Sequence, residues 1–166
     1  MIGGILETNF KRKWEGLIKV EPLLFSSFVP LCFPGGDTSK KPYNDVYCEL
    51  YDRDKLNKCC HVGLEEFNLI NHSKKMNLVL FSDAIEHCIK IHRIITSEFG
   101  HALLIGVGGS GRKSLTELSI SIAAFDSFSI EISSAYNLLA WRDDMKKLFM
   151  DCGVDQKQTV FLLNDT

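Results

Sequence analysis

Apolar residues recur at helical spacing over residues 53–70, at Leu56, Val62, Leu64, Phe67 and Leu69-Ile70, which predicts a helix there although Gly63 interrupts it. Ahead of it, residues 14–33 are apolar but broken by Pro22 and Pro30, and Pro34-Gly35-Gly36-Asp37-Thr38-Ser39-Lys40-Lys41-Pro42 reads as a polar loop. Beyond residue 75 the signals sharpen. Ile85, Cys88, Ile89, Ile91, His92 and Ile95 continue a second helix, with Asp83 as its expected N-cap, Glu86 in the reciprocal capping position and Glu98-Phe99-Gly100 as its expected end. His101 to Ile105 reads as a short buried strand, and Gly106 to Gly111 as a glycine-rich loop. Ser114 to Ala124 follows as a helix with Leu115, Leu118, Ile120, Ile122 and Ala123 apolar. Phe128-Ser129-Ile130-Glu131-Ile132 alternates with the period of a strand. Asn137 to Cys152 predicts a longer helix, with Leu138, Trp141, Met145, Leu148, Phe149 and Cys152 on one side and Gly153 closing it. Last, Thr159 to Leu163 is a continuous apolar strand that delivers Asn164 and Asp165. The order strand, glycine loop, helix, strand, helix, strand specifies an α/β protein with a parallel sheet.

The loop is where this pattern acquires chemistry. Leu103-Leu104-Ile105 feeds Gly106-Val107-Gly108-Gly109-Ser110-Gly111-Arg112-Lys113-Ser114-Leu115, an apolar strand running through glycines into a helix. Such a turn cradles phosphate on backbone N–H groups in the pattern G-x-x-x-x-G-K followed by Ser or Thr, where the Lys reaches the β/γ-phosphates and the hydroxyl ligates Mg²⁺. Gly106 and Gly111 fit that pattern, but Arg112 stands at the Lys position and Lys113 at the hydroxyl position. No shift of register repairs it, because Lys113 as the motif Lys would require glycines at Val107 and Arg112. Arg keeps the positive charge in a wider, planar fork. Lys113 ligates no Mg²⁺, and Ser114 comes one residue too late to replace the hydroxyl. The second apolar strand ends in Asn164-Asp165, where nucleotide-hydrolysing domains of this kind place a metal-holding Asp. Phosphate binding without efficient turnover is the expected result, since loss of a key transition-state group costs a rate factor of about 10² or more whereas backbone donors need no particular side chain.

Composition narrows the remaining options only slightly. The 166 residues are 45% hydrophobic and 24% charged with a net charge of −2 and no sustained block of one sign, so neither nucleic acid nor an anionic membrane surface is an expected partner. The first residues lack the cationic and apolar regions of a secretory signal, Ile2 excludes N-myristoylation, and no apolar stretch approaches a membrane span, so a cytosolic protein is expected. Six cysteines (Cys32, Cys48, Cys59, Cys60, Cys88, Cys152) without C-x-x-C spacing read as reduced thiols. Cys59-Cys60-His61 and Cys88 with His92 lack the paired spacing of a structural zinc site, and His87 and His92 read as surface or core-edge residues.

The loop Gly106-Val107-Gly108-Gly109-Ser110-Gly111-Arg112-Lys113-Ser114-Leu115 resembles the fourth AAA+ module of dynein heavy chains, particularly the axonemal type, whose habitual wording is G-V-G-G-S-G-R-x-S-L. The likeness extends upstream through Met76 to His87 and downstream through Trp141-Arg142-Asp143-Asp144-Met145-Lys146-Lys147 and Thr159 to Thr166. Lys113 departs from that family, where Gln is common. The resemblance implies a P-loop NTPase fold of the AAA+ type, a partial three-layer αβα parallel sheet over residues 76–166, preceded over residues 1–75 by a small helical lid or linker segment. With the family's strand order of five, one, four, three, two, a chain reaching only strand three leaves strand one at residues 101–105 without either neighbour.

The same resemblance implies a role in microtubule-based movement of cilia and flagella, in which the first module is the main hydrolytic site and the fourth has a regulatory nucleotide role. It implies ATP or ADP held by Gly106 to Leu115 with Asn164 and Asp165, Mg²⁺ ligation weakened by Lys113, and no catalytic residue. Expected partners are neighbouring dynein AAA+ modules and other dynein subunits, with microtubules reached only through the full motor. The expected location is the cytoplasm, cytoskeleton and axoneme. Two other readings stay open on the residues alone: a stand-alone small P-loop NTPase, which the missing motif Lys and hydroxyl disfavour, and an interaction module or truncated product that binds no nucleotide.

Overall fold

The computed structural model describes residues 23–27, 47–50, 52–130 and 132–164. The Pro-rich loop at 34–42, most of the apolar run at 14–33, and Asp165 lie outside these described residues. Two compact units divide between Cys59 and Cys60, inside the first helix.

In the first unit, β1 (Phe25–Ser26) and β2 (Cys48–Glu49) pair antiparallel, with Phe25 opposite Glu49 and Ser26 opposite Cys48. This pair is absent from the sequence pattern, because two residues are too few for alternation to register. Leu50 N–H extends it by donating to Leu24 O at 2.8 Å, and the rings of Phe25 and Tyr47 stack at 5.8 Å. Asp52 opens α1 (Arg53–Ile70) as its cap: Oδ1 accepts from Lys55 N–H at 3.0 Å, and that bond holds the Asp52 carboxyl below the usual carboxylate range. Cys59 is disulfide-bonded, which corrects the expectation of reduced thiols throughout, while Cys60, Cys88 and Cys152 are free.

The second unit begins within α1, whose continuity through Gly63 matches the expected helix 53–70. Leu64 and Phe67 are buried, whereas Val62, Leu69 and Ile70 face solvent. Asn68 then fastens the helix end to the following segment: Oδ1 accepts from Met76 N–H at 2.7 Å and Nδ2 donates to Met76 O at 3.0 Å. This reciprocal pair satisfies one residue's whole backbone with one amide side chain.

α2 (Ser82–Ile95) and α3 (Arg112–Ile122) pack against each other and carry most of the core, with Ile89 and Leu118 essentially inaccessible. α2 starts earlier than expected. Phe81 is its N-cap and no side chain caps it, so Asp83 sits in the first turn as a favourable charge, and Glu86 pairs with Lys90 rather than reaching back. At the α2–α3 seam the Ser119 hydroxyl accepts from the Cys88 thiol at 3.3 Å and lies 2.7 Å from Leu115 O and 3.1 Å from Cys88 O, its two acceptors. Cys60 is also fully buried, and its hydrogen bond with Cys88 together with burial pushes its thiol upward. His92, expected at the surface or core edge, is 1% exposed.

β3 (Asp126–Ser129) and β4 (Thr159–Leu162) pair in parallel, in register from Asp126 opposite Thr159 to Ser129 opposite Leu162. The expected parallel arrangement is present, with β3 starting two residues before the alternating stretch because its register is set by β4. α4 (Leu138–Gly153) connects them, and Asn137 caps it by accepting from Leu139 N–H at 3.0 Å and Ala140 N–H at 3.1 Å. Its apolar side is only partly covered. Trp141 meets Phe161 edge-on at 6.3 Å and Met145 and Leu148 are half-buried, but Leu138, Phe149 and Cys152 are exposed. The sequence-derived strand at 101–105 is not formed: residues 101–107 are exposed, join no sheet, and leave Leu103 and Ile105 about 85% accessible. A strand exists only through its partners, and neither β3 nor β4 pairs with this segment.

Candidate functional site

The segment that leads into the glycine loop leaves from the end of α2. Thr96 closes the helix, its N–H donating to His92 O at 3.0 Å and its hydroxyl to the same carbonyl at 2.8 Å, and the Ser97 hydroxyl donates to Arg93 O at 2.6 Å. α2 therefore stops at Ile95, three residues before the Glu98-Phe99-Gly100 expected to end it. The chain then doubles back, with Phe99 in the left-handed region at φ 55 and Gly100 N–H donating to Ser97 O at 3.1 Å. Gly100 is required here by proximity: a β-carbon would fall 1.7 Å from Ile94 O. This clasp fixes where the extended segment 101–107 leaves the helix.

The loop itself turns on two left-handed glycines, Gly109 at φ 76 and Gly111 at φ 75, a conformation that costs any other residue about 1 kcal/mol or more. Ser110 N–H donates to Val107 O at 3.3 Å. Gly111 is the N-cap of α3 and offers no side chain to its first donors; Leu115 N–H is the first to find a helical acceptor, on Gly111 O at 2.9 Å. Uncapped N–H groups at a helix start, with Arg112 and Lys113 and no acidic residue in the first turn, make a locally positive end. Space is open above it: β-carbons placed on Gly108, Gly109 or Gly111 would meet nothing within 4 Å.

Gly106, Val107, Gly108, Gly109, Ser110 and Gly111 thus form one exposed turn running into Arg112, Lys113, Ser114 and Leu115. Lys113 points to solvent, Ser114 is half-buried and Leu115 is anchored in the core. Arg112 is half-buried and folds back: Nη1 donates to Leu104 O at 3.4 Å and Nη2 to Val107 O at 3.5 Å. Sequence gives no signal of these bonds, since their acceptors are backbone carbonyls. The Thr116 hydroxyl, also unread from sequence, ties Arg112 O into the helix at 2.8 Å. Asn164 follows the end of β4 and is half-buried, but segment 101–107 does not pair with β4, so no shared sheet holds Asn164 against the loop. Asp165 lies outside the described residues.

The donor set fits a phosphate group and fits Mg²⁺ poorly. Backbone N–H groups and a guanidinium are anion ligands, while the hydroxyl position holds Lys113, a cation. Among the described residues no group of three or more His, Cys, Asp or Glu could hold a metal ion, and no helix is long and apolar enough to cross a membrane. A cleft of about 310 Å³ opens at the other end of the parallel pair, beside Asp126 and Thr159. At this cleft Lys157 pairs with Asp151 and Asp155 at 3.4 and 3.2 Å, and Lys147 lies 5.9 Å from the centre of the Phe128 ring.

Residues 76–166 match the sequence profile of the P-loop containing dynein motor region D4. The chain belongs to this dynein family. It is similar to human dynein axonemal heavy chain 10, with 37% identity over 99% of the chain, to human dynein axonemal heavy chain 6, with 38% identity over 88%, and to mouse dynein axonemal heavy chain 2, with 42% identity over 79%. The chain spans 3% of the length of each of these relatives. Its α/β organisation is that of part of a dynein P-loop module, and the glycine loop falls inside the matched region.

Proposed function

We propose that residues 76–166 serve as a nucleotide-binding module of an axonemal dynein motor, holding the phosphate end of ADP or ATP at Gly106 to Leu115 with little or no hydrolysis. The observation that carries this reading is the uncapped start of α3 behind left-handed Gly109 and Gly111, which aims N–H donors at open space within a family named for its P-loop. In this reading the backbone binds and orients phosphate, Arg112 supplies charge, and Asn164 and Asp165 stand where the acidic motif of a hydrolytic site would be. With Lys113 in place of a hydroxyl and Asn164 in place of an acid, the residues that would hold Mg²⁺ and polarise water are missing, and each such loss costs a rate factor of about 10² or more.

Residues 1–75 are assigned to the linker or lid ahead of the module. Partners are adjoining AAA+ modules and other dynein subunits, with microtubules engaged only through the complete motor. The place of action is the cytoskeleton of the cilium or flagellum. The test is an equilibrium titration with fluorescent ADP alongside a Mg²⁺-ATP turnover assay. Saturable ADP binding without turnover is expected. Turnover that Gly111→Asp abolishes would show a working ATPase, and the absence of saturable binding would leave an interaction module.

A further inference from the structure

We propose that Arg112 is latched onto the backbone at the entrance of its own loop until a phosphoryl group releases it. The geometry is specific to a forked side chain. Nη1 reaches Leu104 O ahead of Gly106 and Nη2 reaches Val107 O behind it, so the guanidinium staples the two sides of the loop entrance together. Its stem crosses directly over Gly106, whose β-carbon position lies 3.5 Å from Arg112 Cδ and 3.3 Å from Ser110 Oγ. The staple adds to the loop's own backbone bond, the 3.3 Å contact from Ser110 to Val107, and residues 101–107 pair with no described strand.

Both acceptors are neutral carbonyls at the long end of hydrogen-bond range. A phosphoryl group offers two charged oxygens at the spacing of the same fork, so the guanidinium gains an ion pair in addition to its two hydrogen bonds. A ligand with two anionic oxygens on one phosphorus therefore takes the guanidinium from Leu104 O and Val107 O. A lysine at this position presents one ammonium and cannot bridge two carbonyls on opposite sides of Gly106 while also meeting phosphate. Arg112 thus makes ligand binding compete with an internal contact that spans two carbonyls, which the usual lysine would not make. This inference rests on the nucleotide-binding reading for the release step and on geometry alone for the staple.

The test compares the unmodified chain with Arg112→Lys and Arg112→Gln, each read in two ways. Backbone hydrogen exchange of Ser110, whose N–H donates to Val107 O beside the staple, reports it without ligand: about fivefold faster exchange is expected in both variants, the scale of one net hydrogen bond. Titration with fluorescent ADP reports release: Arg112→Lys is expected to bind about fivefold more tightly than the unmodified chain, and Arg112→Gln more weakly. Unchanged exchange overturns the staple whatever the binding result. Faster exchange with weaker ADP binding by Arg112→Lys overturns the competition and makes Arg112 a plain phosphate ligand. If none of the three proteins binds ADP, the nucleotide reading falls and takes the release step with it, while the exchange rates still uphold or overturn the staple.

Discussion

Gly63 of α1 and Ile122 of α3 meet so closely that a β-carbon on Gly63 would stand 2.8 Å from Ile122 Cγ1 and 3.1 Å from its Cδ1. Ile122 is buried and β-branched, so it cannot swing aside without leaving its preferred rotamer. Alanine at position 63 would gain about 1 kcal/mol of helix propensity and lose about 1–3 kcal/mol to overpacking. Gly63→Ala is therefore expected to lower the urea midpoint. In an Ile122→Ala background, where the crowding is gone, the same change should raise it. Equal effects of Gly63→Ala in the two backgrounds would show that the contact carries no energy.

Ala124 sits where α3 ends in the manner that favours glycine. Its φ is 52, Ala124 N–H donates to Ser121 O at 2.9 Å and Phe125 N–H to Ile120 O at 3.1 Å, the paired bonds of a left-handed helix termination. A side chain in that conformation costs about 1 kcal/mol, and Ala124 is exposed, so removing its methyl loses little burial. Ala124→Gly is expected to stabilise the protein by roughly 0.5–1 kcal/mol in chemical denaturation, the reverse of the usual penalty for glycine.

These two residues also show what the sequence can carry. The helix over 53–70 is legible from Leu64 and Phe67, but Gly63 looks like a break because its reason is Ile122, 59 positions away. Segment 101–105 has the composition of a buried strand, yet burial and pairing are properties of neighbours that the local pattern does not contain. β3 slides to Asp126–Ser129 for a similar reason, its register being set by Thr159–Leu162. The candidate site divides the same way. Left-handed Gly109 and Gly111 are readable from residue type, while the path of Arg112 back to Leu104 O is not, because its partners are backbone.

His92 makes stability depend on pH. Burial lowers its pKa from 6.5 in the unfolded chain to about 4 in the folded protein, so the unfolded state takes up a proton first as pH falls. Its contribution is complete above about pH 6.5, declines by about 1.4 kcal/mol per pH unit below that, and levels off below about pH 4. Between pH 7 and pH 5 the loss attributable to this residue is about 2 kcal/mol. Measuring urea midpoints of the protein and of His92→Leu at both values removes the contribution of carboxylates common to both. The difference in slope should then disappear only if His92 titrates normally in the folded state.

Gly108 separates ligand binding from folding. A β-carbon there meets nothing within 4 Å, and its φ is not in the left-handed region occupied by Gly109 and Gly111, so alanine fits the loop without strain. Gly108→Ala is expected to change stability by less than about 0.5 kcal/mol. If the loop cradles phosphate on its N–H groups, the added methyl stands on the surface that phosphate must approach, and ADP affinity should fall about tenfold, a cost near 1.4 kcal/mol. Gly111→Asp adds strain and a negative charge and should reduce binding further while also lowering stability. A Gly108→Ala protein with unchanged melting and unchanged ADP affinity would place any bound phosphate elsewhere than against this turn.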